Sequence, residues 1–117
     1  MLMKFIKTTF YSSVIISLLA SPVIAKDYSD RLKRADKQMI LQKYQNAEEQ
    51  YKHIASDEKS PIVKAYIHYR LGKIYEAKQE KMLARQEWEK GLSSLEKSGK
   101  NKHPLNKFLV EAMDKEG

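Results

Sequence analysis

The sequence predicts an all-α protein, and three observations carry that prediction. Beyond residue 25, Glu, Lys, Gln, Ala and Leu dominate and β-branched runs are missing, which is a helix-forming composition. Four glycines and three prolines in 117 residues leave few places for the chain to break. Between those breaks, apolar residues recur at spacings of three and four, the period of a helix face.

Residues 1–25 stand apart from this pattern. Met1 to Lys7 carries two lysines and no acid, and an apolar stretch, VIISLLA, follows from Val14 to Ala20. Pro22 breaks it, and Val23 and Ala25 occupy the minus-three and minus-one places of a cut between Ala25 and Lys26, the layout of a secretory signal. A membrane span wants about 20 apolar residues, and Pro22 interrupts this one early. The expectation is a small exported domain over 26–117, periplasmic or secreted, with membrane contact only where the signal is retained. The chain has no cysteine, so neither disulfides nor a lipid-bearing cysteine enter the reading, and the domain must hold by packing.

Five helices are expected, over 27–40, 43–56, 61–79, 81–98 and 104–115. Shifts in the apolar pattern near Leu41–Lys43 and Gln79–Lys81 separate the first pair and the second pair. SDEKSP, Ser56 to Pro61, ends the second helix and opens the third, with Pro61 suited to a first turn. KSGKNKHP, Lys97 to Pro104, forms a loop with Gly99 as the helix stop. The second helix has one stripe of Tyr44, Ala47, Tyr51 and Ile54; the fourth has Ala84, Trp88, Gly91, Leu92 and Leu95. In the last, Leu105, Phe108, Leu109, Ala112 and Met113 oppose Asn106, Lys107, Glu111 and Asp114. The third is apolar around most of its circumference, from Ile62 to Ala77, which marks a central, buried helix.

Chemistry is hard to find along this chain. The net charge is +7, with signs alternating along the sequence, so the charges read as solvated faces with a weak lean towards acidic partners. No basic cluster points to nucleic acid. His53, His68 and His103 lack ligand spacing, and no cysteine can join them at a metal. Glu48–Glu49 and Glu87–Glu89 lie among lysines and glutamines, as surface pairs rather than as general acids held in a cleft. Ser29, Ser56, Ser60, Ser93, Ser94 and Ser98 fall near helix ends and read as caps. No enzyme, cofactor or metal is expected.

One stretch resembles a known family. LGKIY, Leu71 to Tyr75, followed by Ala84 and Trp88, is similar to the tetratricopeptide repeat, a 34-residue helix pair with a Leu-Gly-x-x-Tyr and an Ala-x-x-x-aromatic signature. The good repeat covers about 65–98, and a degenerate one, about 28–61, retains Ala35 and the Ala47-x-x-x-Tyr51 spacing. His68 stands where a Trp is usual, and the upstream copy lacks the Leu-Gly-x-x-Tyr half. The resemblance implies antiparallel helix hairpins over 26–98, four repeat helices in all, with residues 99–117 supplying a loop and a capping helix. It implies that Gly72 and Ala84 are small where two helices touch, and that Tyr75 and Trp88 fill the wedge between repeats.

The same resemblance implies a function. In the family, one side of the first helix of each repeat lines a groove for peptides or partner helices. Here that side carries Tyr66, Tyr69, Arg70, Lys73 and Glu76, extended upstream by Leu32, Asp36 and Met39. The expectation is a non-catalytic module that binds a protein or peptide of the envelope or the exterior. The alternative is a self-assembling structural subunit, associating as a homo-oligomer through an open end at Tyr28, Leu32 and Ala35.

Overall fold

The computed structural model describes Ile24 and residues 27–116, so the expected signal, apart from Ile24, lies outside the described residues. Those residues form five helices and no strand: α1 (Asp30–Ile40), α2 (Tyr44–Asp57), α3 (Pro61–Ala77), α4 (Lys81–Lys97) and α5 (Pro104–Glu116). The protein is all-α, with helix bounds within three residues of the expected ones. None of these helices is long and apolar enough to cross a membrane.

Local chemistry explains where the helices begin. Ser29 and Ser60 cap α1 and α3, each side-chain oxygen accepting a backbone N–H three residues on, from Leu32 and Val63. Pro61 fills the first turn of α3, where its missing N–H costs nothing. The other serines act differently. Ser56 and Ser98 donate to carbonyls of their own helices, and Ser94 donates across to the Pro61 carbonyl at 3.2 Å.

Three helices end in the same way. Gln42, Gln79 and Gly99 take positive φ, at 60°, 63° and 71°. The next residue's N–H closes back onto a carbonyl five residues earlier: Lys43 to Gln38, Glu80 to Tyr75 and Lys100 to Leu95, at 2.9, 2.8 and 2.7 Å. This is the Schellman arrangement, which satisfies carbonyls that a helix end leaves orphaned. Gly99 enters it freely, whereas both glutamines hold a left-handed conformation that costs a side-chain-bearing residue roughly 1–2 kcal/mol.

Packing follows from the apolar stripes. α3 lies against α2, α4 and α5, and its contact with α4 is the most extensive in the molecule. Partners along α3 and α4 run in opposite directions: Pro61 meets Ser94, Ala65 meets Gly91, His68 meets Glu87 and Tyr69 meets Trp88. The pair is therefore antiparallel. A Cβ built on Gly72 would stand 2.1 Å from Trp88 Nε1, so the glycine is the seat of the indole. Trp88 thus lies inside the α3–α4 contact, not in a wedge beyond it, and its N–H donates to the Tyr69 carbonyl at 3.2 Å. Tyr75 does reach another helix, donating to Glu48 of α2 at 2.9 Å. Ala47, Tyr51, Ala84 and Trp88 are all fully buried, and Leu71 nearly so.

Two expectations are corrected. Leu32 and Ala35 have no exposed surface. They are turned inward, and a shallow hollow between α1 and α2 is lined by Arg31, Arg34, Glu49, Gln50, His53 and Ile54. In α5, Leu105, Leu109 and Ala112 are buried and Leu109 packs on Gly91, but Phe108 is 40% exposed. It lies on the flank of that helix's apolar face and turns towards α3.

Candidate partner-binding site

Helical spacing gathers the candidate residues on one side of α3, because positions three and four apart are neighbours on a helix surface. The structure divides them by depth. Tyr66 and Arg70 are buried, at 3% and 6% exposure, whereas Tyr69, Lys73 and Glu76 are half-buried. The first two form a floor covered by the chain's own residues rather than an open contact surface, and the other three form a rim.

The floor is organised by a carboxylate. Asp36 of α1 is 3% exposed and accepts hydroxyl hydrogen bonds from Tyr66 at 2.6 Å, from Tyr28, and from Tyr51 of α2. Arg70 Nε donates to the Tyr66 hydroxyl at 3.0 Å and stands 3.9 Å from the carboxylate. A buried charge is tolerated only when paired and hydrogen-bonded, and here four groups share that task. Burial, reinforced by Asp36, pushes the hydroxyls of Tyr28 and Tyr51 well above the ordinary tyrosine range, so both remain donors.

The rim is aromatic and cationic. The Arg70 guanidinium carbon lies 5.0 Å from the Tyr66 ring centre and 5.4 Å from that of Tyr69. Lys73 Nζ is 5.8 Å from both the Tyr69 and Trp88 rings and 3.3 Å from Glu76 Oε1. Phe108 reaches over from α5 and tilts against Tyr69, ring centres 6.0 Å apart. The arrangement offers flat apolar surface with cations at its edge.

Carboxylates elsewhere serve structure. Glu48 accepts from Lys52, Lys78 and Tyr75, and although burial opposes it, these bonds hold its carboxyl down at about 2. Glu87 is only 8% exposed, so it is not the solvated surface acid that its neighbours suggested. Burial alone would raise it, but bonds from His68 and Lys90, each 3.0 Å, hold it below the usual carboxylate range. His103 Nδ1 accepts the Leu105 N–H at 3.1 Å and so caps α5. Among the described residues no group of three His, Asp or Glu could hold a metal ion.

Sequence reasoning placed Asp36 on the groove and Tyr28 at the open end without joining them, and it did not foresee the places of Phe108 and Ile24. Asp36 had a legible signal, being an acid among Leu32, Ala35 and Met39 on an otherwise apolar face. Phe108 had none, because its place in the stripe suggested burial. Ile24, expected within the signal, is 2% exposed within the core, and Tyr28, expected at the open end, sits on Asp36. No protein-family model, curated protein or solved structure matches this chain.

Proposed function

We propose that the chain is an exported, non-catalytic interaction module of the tetratricopeptide kind, which captures a protein or peptide partner on the face shared by α1, α3 and α5. The observation that carries this reading is the rim: Tyr69, Lys73 and Phe108 remain accessible directly above a fixed, hydrogen-bonded floor. Tyrosine and cationic side chains dominate the energetics of many interfaces, and a rigid base lowers the entropic cost of using them. The repeat reading is supported by a recurrence. The glutamine turns at 42 and 79 are spaced like Ala47 and Ala84, and like the buried aromatics Tyr51 and Trp88.

The test is Tyr69→Ala combined with Lys73→Glu, applied to affinity capture from an envelope extract with identification by mass spectrometry. A partner retained by the wild type should fall at least tenfold in recovery with the variant, whose helical circular dichroism should match the wild type. Equal recovery by a folded variant would remove this face from the proposal.

A further inference from the structure

We propose that Ile24 and Tyr28 act as a built-in ligand of this site, and that the partner enters with the same two groups, a branched aliphatic side chain followed four positions later by a tyrosine. This rests on the interaction-module reading and specifies what the module binds.

Three observations lead there. Tyr51 and Tyr66 reach Asp36 from helices packed on both flanks, so their hydroxyls are fixed. Tyr28 takes the remaining place on the same carboxylate from outside any helix, and it stays half-buried. Its ring meets Tyr66 edge-on, centres 6.4 Å apart at 83°, a preferred aromatic geometry that a tyrosine from another chain can reproduce.

Ile24 supplies the apolar half. At 2% exposure it is among the largest fully buried side chains, yet it precedes α1 and belongs to none of the five α-helices. Between the two, Asp27 lies close enough to His103, in the turn before α5, for its charge to act on that ring. Starting from α1, the described residues therefore lead over α3 towards α5, the three helices that form the site. The occupied positions give a template: an aliphatic group in an apolar socket and a phenol donating to a buried carboxylate. A hydroxyl with a raised pKa fits that second position because it remains a donor.

The expected cut between Ala25 and Lys26 would fall between these two anchors. It would remove the aliphatic group and leave the phenol, so processing would vacate half the site at export. The partner's aliphatic side chain would then enter a socket already shaped for isoleucine.

The experiment uses the full chain in detergent, with residues 1–25 verified by intact mass, and a fluorescent peptide SPVIAKDYS. Anisotropy is compared for the wild type and for Ile24→Ser with Tyr28→Ser. The substituted chain, whose own anchors are gone, should bind at least tenfold more tightly than the wild type. A peptide with serine at the Ile and Tyr places should bind neither. Equal binding by a folded double variant overturns the proposal. Loss of helical structure in that variant overturns it as well, since anchors that cannot leave are core residues rather than a displaceable ligand. If peptide binding fails while partner capture still depends on Tyr69 and Lys73, the built-in ligand falls and the interaction face stands.

Discussion

Gly72→Ala is the most demanding test of how α3 and α4 meet. A Cβ at this position would lie 2.1 Å from Trp88 Nε1, 2.5 Å from Cδ1 and 2.6 Å from Cε2. Ordinary contact begins at 3.4 Å, so the indole must retreat by more than an ångström. It has no room, because Trp88 is completely buried, and retreat also breaks its bond to the Tyr69 carbonyl. Overpacking costs roughly 1–3 kcal/mol, and the lost hydrogen bond adds about 1 kcal/mol. The gain in helix propensity returns about 1 kcal/mol, leaving a net destabilisation of about 2 kcal/mol. Urea unfolding followed by circular dichroism should show the midpoint falling at unchanged slope. Gly91→Ala is the milder case: its nearest neighbours are the Leu109 methyls at 3.0 and 3.1 Å, which need give by only a few tenths of an ångström. It should change stability by less than about 1 kcal/mol. If Gly72→Ala is neutral or stabilising, the close α3–α4 contact is wrong.

Other predictions follow from the same geometry. Asp36→Ala leaves three phenols and the Arg70 guanidinium without their shared acceptor, and should cost about 3–5 kcal/mol in urea unfolding. Gln42→Gly and Gln79→Gly each release left-handed strain while adding chain entropy to the unfolded state. Either should raise stability by about 0.5–1 kcal/mol, read as a higher unfolding midpoint. His103 is held below the ordinary value of 6.5, first by burial and then by the Lys100 charge, with Asp27 opposing. The folded state therefore favours the neutral ring that accepts the Leu105 N–H. Its contribution is complete above pH 6.5 and is lost as pH falls through the lowered folded value. Amide exchange near the start of α5 should accelerate over that window in the wild type and lose this dependence in His103→Asn.

The helices and the centrality of α3 were legible because periodicity and capping are local properties. Ser60–Pro61 and the Gly99 stop announce their helix ends in the residues themselves. The glutamine turns were harder, since a left-handed glutamine leaves no compositional mark, and only the shifting apolar pattern located them. Depth on the proposed binding face was not legible. Tyr66 and Tyr69 share one side of α3, and what separates floor from rim is Asp36, thirty residues upstream of Tyr66, drawing one hydroxyl inward. Glu87 and His68 illustrate the same limit: two polar residues on different helices satisfy each other, and neither one's neighbours reveal it. The burial of Ile24, which precedes α1, is a tertiary contact that no local pattern encodes.

Trp88 is the chain's sole tryptophan, and its position gives the molecule its own optical reporter. The indole N–H is tied to the backbone beneath Tyr69, and the Lys73 ammonium stands 5.8 Å from its ring. Any guest that draws Lys73 away or presses on Tyr69 alters the field at the fluorophore, so emission wavelength should register occupancy without a label.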